Sequence, residues 1–134
     1  MNKIYFTGSI TGGREKENDY IKIVDFLKQE NICLTEHVAY PDLLKKDYDL
    51  DASYIYKRDR SWLNECDIFI ADISVPSTGV GYEIAYSESI GKKIICIYDS
   101  KMKKPTKMVL GNENFIFIEY QNIDEVISKL KNII

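Results

Sequence analysis

The chain has 134 residues, 45% of them hydrophobic and 29% charged, which suits one globular domain over residues 1–134 and excludes fibrous and disordered classes. Its 21 acidic and 18 basic residues leave a net charge of −3 with no basic stretch, which excludes firm attachment to a nucleic-acid backbone but not the binding of a free nucleotide. Cys33, Cys66 and Cys96 lie in or beside apolar runs and read as buried thiols, and with no signal-like start or membrane-length apolar run the expected location is the cytoplasm.

A first strand is predicted over residues 3–8 and leads into Thr7-Gly8-Ser9-Ile10-Thr11-Gly12-Gly13-Arg14. Glycines admit a ligand close to the backbone, hydroxyls and amides can bond phosphate oxygens, and a following helix aims its positive end at them. A tight strand-to-helix turn also uses glycine, and the Lys-Ser or Lys-Thr of a Walker loop is missing. The next helix, residues 17–29, carries Tyr20, Ile23, Val24 and Leu27 as one apolar stripe. A second strand over residues 32–36 ends at Glu36-His37, which holds the chain's one histidine. A single histidine without a nearby cysteine or aspartate cluster is poor evidence for a metal, and neither metal nor cofactor is expected. Residues 37–51, with Pro41 and mixed charges, read as a long irregular connection, either a mobile flap or an inert loop.

A helix is predicted over residues 53–65. Asp59 shares a face there with Ile55, Trp62 and Cys66, and a carboxyl among apolar neighbours resists ionisation and could deliver a proton near neutral pH. A salt bridge to Lys57, Arg58 or Arg60 is the competing reading, although adjacent residues do not face each other on a helix. The third strand, residues 68–73, is nearly continuous in apolar residues, as a parallel strand covered on both faces should be. Ser74-Val75-Pro76-Ser77-Thr78-Gly79-Val80-Gly81-Tyr82-Glu83 follows into a helix over residues 79–89. A carboxylate in a first helical turn is favoured in its ionised form, which suits Glu83 as a nucleophile, with simple dipole compensation on a surface helix as the weaker competing reading. A capping box does not explain it, since Val80 and Gly81 stand three residues after Ser77 and Thr78. Strands over residues 93–98 and 115–120 and a helix over 123–132 complete the chain.

Strands alternating with helices imply a parallel sheet with right-handed crossovers. The expected fold is α/β, a three-layer α/β/α Rossmann-like arrangement with a five-stranded parallel sheet in the flavodoxin-like order 2-1-3-4-5. Ligands in such folds bind beyond the carboxyl ends of the strands where the order reverses, here strands 1, 3 and 4.

Three blocks together, Ile4 to Arg14, Leu34-Thr35-Glu36-His37-Val38, and Pro76 to Glu83, resemble the nucleoside 2-deoxyribosyltransferase superfamily, and within it the 2'-deoxynucleoside 5'-phosphate N-hydrolases. The resemblance implies hydrolysis of an N-glycosidic bond to give a free base and 2-deoxyribose 5-phosphate. Glu83 would be the nucleophile, Asp59 the acid assisting base departure, and Tyr5 a neighbour of sugar and nucleophile. Ser9, Ser77 and Thr106 would hold the 5'-phosphate, Thr106 reaching in from the partner of a homodimer with shared active sites. The matched blocks add Gly8, Ile10, Thr11, Gly12, Arg14, His37 and Gly79 to the candidate substrate-binding residues. The family pattern leads one to expect arginine where Thr11 stands, a departure that weakens the grip on a phosphate. A deoxyribosyltransferase would use the same nucleophile to exchange bases. A flavodoxin-like electron carrier or a non-catalytic nucleotide-binding module would share the loop without needing Asp59 or Glu83.

Overall fold

The computed structural model describes residues 1–10 and 14–134. β1 (Lys3–Gly8), β2 (Ile32–Cys33), β3 (Ile68–Asp72), β4 (Lys93–Asp99) and β5 (Ile116–Tyr120) form one sheet in the order β2-β1-β3-β4-β5, with every neighbouring pair parallel. That is the order expected of alternating strands and helices, so the sheet reverses direction of growth between β1 and β3. Side chains alternate across each strand and divide the core in two. Ile4, Phe6, Ile68, Ile70, Ile95 and Ile97 pack under α1 (Arg14–Glu30) and α6 (Ile123–Ile133), meeting Tyr20, Ile23, Val24 and Leu27 of the former and Val126 and Leu130 of the latter. Tyr5, Phe69, Ala71, Ile94 and Cys96 face the other way, against Leu63 of α3 (Ala52–Glu65) and Val80 and Ile84 of α4 (Thr78–Ser89). The three cysteines are buried and unpaired.

Two expectations fail locally. The second strand stops at Cys33, not at residue 36, because the Thr35 hydroxyl takes over the edge of β1: it accepts from the Phe6 N–H at 2.9 Å and donates to the Phe6 carbonyl at 2.5 Å. With that edge satisfied, the chain leaves the sheet into a 3₁₀ turn at Glu36–Val38. The long connection after it is not irregular either. Pro41 starts α2 (Pro41–Asp47), where a missing N–H costs nothing in the first turn, and Lys45 and Lys46 sit in its last turn, near the negative helix end. A four-residue helix α5 (Lys107–Leu110) follows β4.

Thr35→Val keeps the shape and removes both hydrogen bonds, leaving the buried Phe6 N–H without a partner. The expected loss is about 1–3 kcal/mol of folding free energy, read in urea as a lower midpoint with an unchanged slope. An unchanged midpoint would mean that the hydroxyl does not close this edge.

Candidate active site

Alternation along β1 puts Tyr5 and Thr7 on one face, the face that α4 covers. Both reach the same carboxylate. The Tyr5 hydroxyl donates to Oε2 of Glu83, and the Thr7 hydroxyl donates to Oε1 at 2.9 Å. Burial pushes the Glu83 carboxyl up to about 7, and the nearby charge of Asp59 pushes the same way, while the two hydroxyl donors hold it down. Tyr5 is itself held far above its ordinary range, chiefly by burial and then by the charges of Glu83 and Asp59, so it remains a protonated donor. The sequence reading placed Glu83 in a first helical turn. The first turn of α4 holds no acid, and Glu83 lies one turn further in, where burial outweighs the helix dipole.

Asp59 of α3 lines the same cavity of about 370 Å³ as Tyr5, Thr7 and Glu83, and Ile55 stands beside it there. Burial raises its carboxyl above the usual range, as expected from an apolar face. The competing reading also holds, against the expectation that neighbours on a helix do not meet: Arg58 Nε and Nη2 both reach Asp59 Oδ1 at 2.9 Å. The arginine stem is long enough to fold back over its own helix, a reach that spacing rules for shorter side chains do not cover. Arg58 also clasps Asp47 of α2, through Nη1 to Oδ1 and through Nη2 to Oδ2 at 3.1 Å, and its guanidinium lies 4.7 Å from the centre of the Trp62 ring. His37, delivered by the 3₁₀ turn, approaches the same group, with Nε2 3.4 Å from Arg58 Nη2. The same nitrogen lies 3.6 Å from Asp47 Oδ2, and burial lowers the affinity of the ring for a proton, with Asp47 acting against that and Arg58 with it.

The other side of the cavity is built from the ends of β1 and β3. Gly8 at the end of β1, with Ser9 and Ile10 just beyond it, lines that side, as do Ser77 and Gly79 at the start of α4. Gly8 is required by close approach: a Cβ there would stand 2.5 Å from the Tyr20 hydroxyl. Ser9 is buried. Ser77 caps α4 by accepting from the Val80 N–H at 3.3 Å, which leaves its own O–H to donate. Thr106 caps α5 in the same way, through the Met108 N–H at 3.2 Å. It lies in a neighbouring cleft of about 400 Å³ that shares Ser77 and Val80, and the single chain does not bring it to Glu83. Thr11 and Gly12, and the side chain of Arg14, lie outside the described residues.

The structure therefore gathers Tyr5, Asp59, Glu83, Gly8, Ser9, Ile10, His37, Ser77 and Gly79 about one cavity at the point where the sheet order reverses. Sequence reading gave no place in the site to Thr7 or Asp47, and named Arg58 only as one of three possible ion-pair partners of Asp59. The period of two along β1 would have found Thr7, while Asp47 meets Arg58 only through the packing of α2. Among the described residues no group of three or more His, Cys, Asp and Glu side chains is placed to hold a metal ion, and no helix is long and apolar enough to cross a membrane.

A family model described as nucleoside 2-deoxyribosyltransferase matches residues 4–118. The chain belongs to the nucleoside 2-deoxyribosyltransferase family. Two relatives agree with that membership. A protein of Syntrophotalea carbinolica with the provisional name 2'-deoxynucleoside 5'-phosphate N-hydrolase 1 is 36% identical over 131 residues, covering 97% of this chain and 92% of its own. A 5-hydroxymethyl-dUMP N-hydrolase of Esox lucius is 40% identical over 112 residues, 81% of this chain and 77% of that one. Among solved structures, a CMP N-glycosidase of Clostridium botulinum superposes with a TM-score of 0.67 at 22% identity, over 96% of this chain and 98% of that one, which speaks for the shared fold.

In this member of the nucleoside 2-deoxyribosyltransferase family, the raised Glu83 carboxyl has a consequence for stability. A carboxyl at 4.5 when unfolded and about 7 when folded favours the protonated form in the native state. Its contribution is fully present below pH 4.5 and is lost as pH rises through about 7. Glu83→Gln should therefore gain stability relative to wild type between pH 5 and pH 8, by at most about 3 kcal/mol. Parallel melting curves of the two proteins across this range would refute the raised value.

Proposed function

We propose that this chain hydrolyses the N-glycosidic bond of 2'-deoxynucleoside 5'-monophosphates, releasing the free base and 2-deoxyribose 5-phosphate. The observation that carries the reading is the buried Glu83 carboxylate, held by the Tyr5 and Thr7 hydroxyls in one cavity with Asp59. Membership of the family and the names of the relatives at 36% and 40% identity support the same chemistry.

In the first step a Glu83 oxygen bonds to C1' of the sugar as the C1'–N bond breaks, its electron pair passing to the base. Asp59 gives that base a proton. The result is a glycosyl ester on Glu83, which water hydrolyses, so the sugar keeps its configuration as in retaining glycosidases. Tyr5 and Thr7 orient the carboxylate and favour its ionised, nucleophilic form. Because that form is half populated near pH 7, small changes around Glu83 act directly on rate. The 5'-phosphate lies towards Ser9 and Ser77, where the start of α4 adds its amides. Thr11, Gly12 and Arg14 border that side in the sequence.

Thr106 completes the phosphate site from the partner of a homodimer. Support for this comes from its cap at the start of α5, beside a cleft that shares Ser77, and from the exposed apolar Met108 next to it. Within its own chain Thr106 lines that cleft and not the cavity that holds Glu83.

Glu83→Ala should stay folded and lose base release from a panel of deoxynucleoside monophosphates, with deoxyribose phosphate as the wild-type co-product. Wild type should favour a monophosphate over its matched deoxynucleoside in kcat/KM, by less than a Thr11→Arg variant does. Preference for the unphosphorylated partner, or efficient transfer to an added second base, would instead make the chain a deoxyribosyltransferase. Exchanging subunits between inactive Glu83→Ala and an impaired Thr106→Ala should restore part of the activity, because one hybrid site is intact. Hybrids that form and remain inactive would place Thr106 outside the site.

A further inference from the structure

Arg58 does not line the cavity, yet three residues that do, His37, Asp47 and Asp59, all converge on its guanidinium. The group is pinned on every side. One edge holds Asp47 of α2, the other holds Asp59 on its own helix, and one face lies on Trp62. Both contacts to Asp59 fall on Oδ1, so Oδ2 is the oxygen that Arg58 does not hold. The partners are removed from water, at 15% exposure for the Arg58 and Asp47 side chains and 25% for Asp59. An ion network at that depth is worth more than a surface pair and is costly to break on one side only.

We propose that Arg58 is a positioning residue for base departure, turning Oδ2 of Asp59 towards the nucleobase and holding α2 and the 3₁₀ turn around that base through Asp47 and His37. The inference rests on the role proposed above for Asp59. When the base leaves, the O–H bond of Asp59 breaks, an N–H bond forms on the base, and the electron pair of the C1'–N bond ends on the base. Asp59 then carries the negative charge, already beside Arg58. The cation makes the proton easier to give, against the burial that holds it. The other groups around Asp59 are Asp47 from α2, His37 from the 3₁₀ turn, Glu83 from α4 and Tyr5 from β1. Of these, the two carboxylates oppose ionisation of Asp59, whereas His37 acts in the same direction as Arg58 and favours it. Arg58 is thus the one full positive charge in contact with the Asp59 carboxyl among the described residues. Lysine could supply that charge but not the fork that fixes Oδ1 and Asp47 together.

The test follows the Asp59 carboxyl carbon by NMR in a Glu83→Gln background, assigned by its loss in Asp59→Asn. In Arg58→Met the titration of Asp59 should move up by about one pH unit or more. A purely structural loss that let water in would move it down. With Glu83 intact, Arg58→Met should slow a substrate with a poor leaving group at least about tenfold more than an activated one, and Arg58→Lys should restore the titration but not the rate. Because Arg58→Met strands Asp47, the double variant Asp47→Asn with Arg58→Met carries the same two measurements without a stranded carboxylate. An Asp59 titration that stays or falls, or equal slowing of both substrates, overturns the proposal. If Asp59→Asn itself shows no dependence on the leaving group, the acid role fails and the positioning role with it. If Asp59→Asn shows that dependence and the Arg58 variants do not, only the positioning role fails.

Discussion

A carboxylate taken out of water must be held by donors, and the bonds from Tyr5 and Thr7 to Glu83 answer that requirement across the join between sheet and helix. The two donors are two residues apart on β1, and the acceptor is on α4, so the contact fixes how far α4 slides along the sheet. It also explains why Tyr5, among the largest of the fully buried side chains, is a tyrosine while its strand neighbours Ile4 and Phe6 are apolar. A phenylalanine would pack as well against Phe69, whose ring centre lies 5.7 Å away, but would leave Oε2 without a partner. Packing and charge are satisfied here by the same side chain.

The opposite face of the same strand ends supplies the rigidity that such a contact needs. Asp72, fully buried at the end of β3, accepts from the Ser74 N–H at 2.8 Å and from the Tyr120 hydroxyl at 2.9 Å. Lys16 of α1 donates to Tyr120 and to Asp99 of β4, both at 2.9 Å, and Ser74 accepts from the Asp99 N–H. The carboxyl ends of β3, β4 and β5 and the start of α1 are thereby tied by one polar cluster. The turn through Ser74 that leads to Ser77 leaves directly from it. Gly8 joins the arrangement by close packing, since only a residue without a side chain clears Tyr20.

Much of this fold was legible because its signals are local. The unbroken apolar run of β3 and the stripe of Tyr20, Ile23, Val24 and Leu27 each carry a period that short stretches reveal, and the strand order follows from alternation. What was not legible depended on a partner distant in sequence. The length of β2 is set by Thr35 reaching Phe6, and nothing in residues 32–36 alone says that a hydroxyl will replace the ladder. In α2 the mixed charges hid a helix whose place is set by Asp47 meeting Arg58. Glu83 and Asp59 were found in the sequence, one of them for an incomplete reason: Glu83 was credited to the helix dipole, while its environment is set by burial and by β1.

The two carboxyls of the cavity now carry different neighbours, and that difference separates their tasks. Glu83 meets only neutral donors, which orient it and leave its affinity for a proton high, near 7. Asp59 meets a full cation, which opposes its burial. Each group also raises the other's cost of ionising, as two negative charges in one cavity must. A single proton shared unequally between them is what bond cleavage at a sugar requires, one oxygen bare to attack and one carboxyl loaded to give. In the proposed reaction a bound base would shield the pair from water and strengthen every one of these interactions. In the reaction proposed above, the nucleobase would itself decide when Asp59 holds the proton and Glu83 does not, by offering an acceptor to Asp59 and excluding the solvent that would level the two groups.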